Sequence, residues 1–419
     1  MLRPTLFSAA FGGFFSLMLL SCGDDNTSTP NTQTEVDMAV TGGGMDMGVD
    51  TPGDELATRV DLLDSIAVNV YSPTYVEFRE SLRTLDAAVS EWAQSQTDEA
   101  RTAAQAAWRT SMTIWQRAEL MQVGPAGAQG RRVGGEDGRD RIYSFPLSNA
   151  CRVDQELVAQ RYDGETWTTT AQLNVRGMDA LEYLLFHTGD ENTCPDVVGI
   201  NRNGEWTAMI ASGAGEVDKR RAAMAQVTVS MVAADAQVLV DAWAEDGVYR
   251  TALSAGSVPF ENTKQALDQV YAGMFYLDRM VKDLKLAKPA GLSMECESDT
   301  CPNAVESRFA NASKEHLVAN LVGLRHVFEG GDDDSYIGFD DILEVEGAAE
   351  LAATMRMKFE ASIAAVEAIE GTLQNAVIEN HSQVQNAYDA VKALNDDLKT
   401  QFVTTLGLSV PQEGAGDND

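Results

Sequence analysis

Leu351-Ala352-Ala353-Thr354-Met355-Arg356-Met357-Lys358-Phe359-Glu360-Ala361-Ser362-Ile363-Ala364-Ala365-Val366-Glu367-Ala368-Ile369-Glu370-Gly371-Thr372-Leu373 is the stretch that decides the fold. Its apolar members Leu351, Met355, Phe359, Ile363, Val366, Ile369 and Leu373 step by 4, 4, 4, 3, 3 and 4. A period near 3.6 gathers them on one helical stripe, whereas a strand would alternate by two. The same stripe recurs upstream in Leu82, Leu85, Val89 and Trp92, and again in Trp108, Met112 and Trp115. Met224, Val227, Met231, Ala234 and Val238 form another, and Leu267, Met274, Leu277, Val281 and Leu284 one more. Alternating runs are scarce, the most strand-like being Val248-Tyr249-Arg250. The expected fold is all-α, two packed up-and-down helical bundles.

Two breaks organise the helical part. Gly124-Pro125-Ala126-Gly127 opens a Gly- and Arg-rich loop reaching about Arg141. Lys288-Pro289-Ala290-Gly291 opens a second that runs to Pro302. This predicts an N-terminal bundle over 56–290, a cysteine-containing connector over 291–306, a C-terminal bundle over 307–411 and an acidic tail over 412–419.

The chain has 419 residues, with 31 Lys plus Arg against 64 Asp plus Glu, a formal charge of −33. Such a surface repels phosphate backbones, so nucleic acid is excluded as a partner; a cation or a basic partner is what the field would concentrate. Ahead of the helices, Met1-Leu2-Arg3 supplies a positive charge and an apolar run extends from about Leu6 to Leu20. A charged start, a short apolar core and a small residue before the cut describe a secretory signal, too short for a transmembrane helix. Cys22, directly after Leu19-Leu20-Ser21, resembles the lipid-accepting cysteine of the bacterial lipobox. Residues 1–22 are thus expected to be a lipoprotein signal peptide, anchoring the chain by a lipid to a membrane of the bacterial cell envelope. Residues 23–55, rich in Asp, Asn, Thr, Gly, Pro and Ser, read as a flexible tether.

With Cys22 set aside, Cys151, Cys194, Cys296 and Cys301 remain, an even number that suggests two disulfides in an oxidising compartment. Cys296 and Cys301 can close a local polar loop, leaving Cys151 with Cys194. No C-x-x-C spacing supports a metal site.

Carboxylates stand where apolar stripes should continue. Stepping by four from Trp115 lands on Glu119, whose charge needs a partner, or water at the helix end. In Arg176-Gly177-Met178-Asp179-Ala180-Leu181-Glu182-Tyr183-Leu184-Leu185-Phe186-His187, Gly177 is a plausible helix start and Asp179 lies in the first turn. Asp179 and Glu182, three apart, share a face. Paired carboxylates bind a hard cation or share a proton.

This segment resembles the GxHxxE signature of the imelysin-like family, its glycine at Gly177 and its glutamate at Glu182, with Asp179 in the place of the histidine. Agreement extends to Trp108–Glu119 with Val123-Gly124-Pro125, to Phe145-Pro146-Leu147 with Cys151-Arg152-Val153-Asp154, and to Glu315–Leu324. The resemblance covers roughly Val60 to Val410 and is nearest to predicted lipoproteins. It implies two helical bundles related by a distant duplication, a cleft faced by the motif helix, and a link to iron acquisition with other envelope iron-uptake proteins. A peptidase role implied for some members is weakened at Asp179, because zinc sites favour imidazole. The candidate ligands for a hard cation, iron or calcium, are Glu119, Asp179 and Glu182, with Gly177, Arg152, Asp154 and Arg176 around the cleft. Arg152 or Arg176 could instead neutralise the carboxylates. The expected function is a non-enzymatic binding lipoprotein in iron or cation handling; a metal-dependent hydrolase and a scaffold with a purely structural cleft are the alternatives.

Overall fold

A computed structural model describes residues 57–411. The segments expected to be a signal peptide with Cys22, a tether and an acidic tail lie outside the described residues.

The described chain is all-α, and its residues fall into one compact unit. Four long helices form the first half: α1 (Ser72–Ser95), α2 (Asp98–Ala118), α3 (Gly177–Phe186) and α4 (Glu216–Ala242). α1 packs along both α2 and α4, and α4 along α3. The start of α2 follows from local chemistry: the Thr97 hydroxyl accepts from the Ala100 amide at 3.2 Å, and Asp98 and Glu99 sit in the first turn. The expected stripes Leu82, Leu85, Val89, Trp92 and Trp108, Met112, Trp115 are buried. On α4 the expected stripe drifts: Val238 is exposed and Ala236 and Leu239 are buried instead. This central helix buries a broad face against two neighbours, so no single stripe describes it.

The second half is α5 (Ser313–Glu329), α6 (Ala349–Glu367), α7 (His381–Asp397) and the π-wound segment Leu277–Ala287. α6 packs on α5 and α7, and Leu277–Ala287 packs on α5 and α7 although it precedes the cysteine connector in the chain. The stripe beginning at Leu351 spans two helices. α6 ends at Glu367, Gly371 turns with φ +74°, and Leu373 opens the helix Leu373–Glu379.

The halves meet along α2 and α5. A Cβ on Gly323 would come within 2.2 Å of the Arg117 carbonyl oxygen, so only glycine lets the two backbones approach this closely.

Val248-Tyr249-Arg250 is not a strand. It opens the helix Val248–Ala255, which buries Ala252 and Leu253 and ends at Gly256 with φ +55°. The alternation was too short to outweigh a helical face closed by a glycine cap. Cys151–Cys194 and Cys296–Cys301 both form disulfides.

Candidate functional site

α3 begins at Gly177, whose φ is +88°, and a Cβ there would lie 2.8 Å from the Ile142 carbonyl oxygen. Glycine is therefore dictated by backbone and space together. The helix start carries Asp179 inward. Asp179 Oδ1 accepts from the Ala180 amide at 3.0 Å and Oδ2 from the Ser144 hydroxyl at 2.6 Å. One turn on, Glu182 Oε1 accepts from the amides of Phe309 and Ala310 at 2.9 and 3.0 Å. That contact ties the motif helix to the segment that leads into α5.

Asp179 and Glu182 line one cavity of about 320 Å³, together with Tyr143, Phe145, Tyr183, Arg308 and Phe309. Neither carboxylate forms an ion pair among the described residues. Burial pushes the Asp179 carboxyl up to about 6, against the hydrogen bonds from Ser144 and Ala180 that favour its charge. Burial likewise pushes Glu182 up to about 7, with the Glu306 carboxylate adding to the rise. Both groups titrate close to neutrality.

Glu119 belongs to a different place. It is fully buried and does not reach water, and it does not line this cavity. Its Oε1 accepts from Trp115 Nε1 and Arg139 Nε, both at 3.1 Å. Its Oε2 accepts from the Tyr276 hydroxyl and lies 3.5 Å from Lys285 Nζ. Lys285, itself buried, also donates to Gln116 Oε1 at 2.8 Å and Asn320 Oδ1 at 2.7 Å, and pairs with Glu306 Oε1 at 2.9 Å. Glu306 Oε1 accepts further from Gln116 Nε2 at 2.9 Å and Tyr143 OH at 2.8 Å. Burial works to raise the Glu306 pKa, but Lys285 and His316 outweigh it and hold the carboxyl well below its usual range. Glu306 Oε2 and His316 Nδ1 stand 3.6 Å apart, and each lacks a hydrogen-bond partner. This is a charge-balanced lattice joining α2, α5 and the π-wound segment, so Glu119 has a structural partner set.

The surrounding residues divide similarly. Arg176 pairs with Asp235, with the Asp179 charge also acting on it, and Arg152 donates to Gln155 at 2.8 Å, so neither forms an ion pair with Asp179 or Glu182. Asp154 is buried, accepting from Tyr183 OH at 2.7 Å and from the Thr193 amide and hydroxyl at 2.8 and 2.9 Å. The structure thus brings Asp179 and Glu182 together and leaves Glu119 and Asp154 elsewhere.

A histidine-based zinc centre does not fit. No group of three His, Cys, Asp or Glu suited to a metal occurs among the described residues, and no imidazole lines the cavity. Both Asp179 oxygens and Glu182 Oε1 already serve protein donors. Ser144, Glu306 and Lys285 carry no sequence signal of their own as site residues. Lys285 was the most findable, since Leu277, Val281 and Lys285 step by four where the winding loosens.

The imelysin family model matches residues 71–401. No curated protein matches. The structure resembles that of an iron-regulated protein A precursor from Parabacteroides distasonis ATCC 8503, with TM-score 0.65 and 16% identity over 85% of this chain and 97% of that one. It also resembles an imelysin-like protein from Psychrobacter arcticum 273-4, with TM-score 0.64 and 16% identity over 85% of this chain and 98% of that one. At that identity the likeness concerns the fold. By the family match across most of its length, this chain belongs to the imelysin family.

Proposed function

We propose that this chain is a lipid-anchored, non-enzymatic binding protein of the bacterial cell envelope. It would work with other envelope proteins in the handling of iron or another hard cation. The observation that carries the reading is the pair Asp179 and Glu182 on one cavity wall, both buried without a cationic partner and both titrating near neutrality. A hard cation arriving there displaces protons and pairs with two carboxylates that make no ion pair of their own, although Arg308 and Lys288 also line the cavity. The placement of Asp179 where the family motif has histidine argues against hydrolysis. The iron-regulated name of one structural neighbour lends the cation its first candidate.

Calorimetric titration of the mature chain with Ca²⁺ and with Fe³⁺ tests this. Saturable binding that strengthens between about pH 6 and 8 and is lost in both Asp179→Asn and Glu182→Gln is the expected result. Silence at millimolar cation overturns it.

A further inference from the structure

The cavity of Asp179 and Glu182 holds more than two acids. Arg308 and Lys288 line it too, as do the rings of Tyr143, Phe145 and Phe309. Lys288 pairs with Glu295 at 2.9 Å. Among the described residues no acid pairs with Arg308, which is exposed, and its guanidinium carbon lies 4.8 Å from the centroid of the Phe309 ring. A guanidinium group repels a bare cation. Stacked rings of Tyr143 and Phe145, 6.4 Å apart and 15° from parallel, give the cavity an apolar wall that an ion in its shell of water does not use.

The supply of oxygen ligands points the same way. Asp179 already accepts from the Ser144 hydroxyl and the Ala180 amide, and Glu182 from the Phe309 and Ala310 amides and the Ser307 hydroxyl. A carboxylate offers about four acceptor positions, so roughly half or more of what the pair can give is used by the protein itself. The hydroxyls of Tyr143 and Tyr183 donate to Glu306 at 2.8 Å and to Asp154 at 2.7 Å, and Asn303 Oδ1 accepts from Gln374 at 3.3 Å. A hard cation such as calcium gathers about six to eight oxygens, so much of its shell must arrive with it. At about 320 Å³ the cavity has room for that company.

We propose that this cavity takes its cation inside a small organic chelator bearing carboxylate oxygens. Asp179 and Glu182 fill the positions on the metal that the chelator leaves open. Arg308 pairs with a carboxylate of the chelator, the anion that a guanidinium fork matches best. The wall of Tyr143 and Phe145 meets the carbon body. This inference rests on the cation reading and narrows it, since the bound species is then the complex and not the ion alone.

Native mass spectrometry of the full chain after incubation with ferric nitrilotriacetate tests the proposal, with calorimetry for the affinities. The iron and its chelator are expected to stay on the chain together. Binding of the complex should weaken about tenfold in Arg308→Gln and be lost in Glu182→Gln, and metal-free nitrilotriacetate should bind at least about tenfold more weakly. Arg308 is exposed and holds only a ring contact, so its replacement leaves the fold undisturbed. Arg83→Gln, an exposed arginine paired with Glu80, is expected to leave the affinity unchanged. Iron retained without its chelator overturns this proposal and leaves the cation reading standing, whereas retention of neither overturns both. Equal binding of the metal-free chelator, no loss in Arg308→Gln, or an equal loss in Arg83→Gln also overturns it.

Discussion

Glu182 and Glu306 are two buried glutamates whose fields reach one another, yet they hold opposite protonation habits. Glu306 is drawn well below the ordinary carboxylate range because Lys285 stands 2.9 Å away. Glu182 is pushed up to about 7, because burial acts on it with only neutral donors in reply. Burial is shared, so the presence of a cation within ion-pair distance decides between a fixed structural charge and a group free to exchange its proton. Glu119 likewise has cations beside it, bonded to Arg139 and near Lys285, whereas Asp179 is held by a hydroxyl and an amide.

The most damaging way to break this contrast is Lys285→Met. It leaves Glu306 in the interior without its close cation and Glu119 with Arg139 alone, and is expected to cost about 3–5 kcal/mol in urea unfolding. Adding Glu306→Gln removes one stranded charge and should restore part of that loss.

Next comes pH. A carboxyl whose folded pKa is raised contributes stability that is fully present below its unfolded pKa and lost as pH climbs through the folded value. For Glu182 the window runs from the ordinary 4.5 to about 7, and for Asp179 from 3.8 to about 6. Melting temperature should therefore fall as pH rises through that span. Glu182→Gln should flatten the fall by an amount on the order of 3 kcal/mol, read from melts between about pH 5 and 8. Glu306 works in the opposite sense, since its contribution is lost only as pH falls below the ordinary carboxylate range.

Gly177→Ala should cost about 2 kcal/mol, because it forces a side chain into a left-handed backbone against the Ile142 carbonyl. Thermal melts check it. The smallest effect is Ser144→Ala, about 1 kcal/mol. It removes a donor that favours the charged form and should raise the Asp179 pKa further, which a carbon-13 carboxyl titration would read.

The helical class was legible from periodicity alone, because stripes such as Leu82 to Trp92 report only local geometry. Placement of Glu119 on a buried face was legible for the same reason. Its partners were not: Arg139 is 20 positions away and Tyr276 is 157 away, and spacing along a helix carries no information about such contacts. The stripe that seemed to end on Leu284 shows the limit most sharply. In a π-wound segment the residues per turn exceed 3.6, so Lys285 takes the buried place and Leu284 is only half-buried. Asp179 and Glu182 shared a face by spacing, but their cavity depends on Phe309 and Ala310, more than a hundred residues downstream.

The lattice around Lys285 also constrains how this protein can change by descent. Its partners come from three separate stretches: Gln116 with Glu119, then Glu306, then Asn320. No single replacement at position 285 by an apolar residue leaves the others satisfied, so neutral drift must pass through the acids first or exchange several positions together. A relative carrying an apolar residue at the place of Lys285 while keeping both acids would mark a chain that has found another cation for that interior, or one in which the two halves no longer meet in this way.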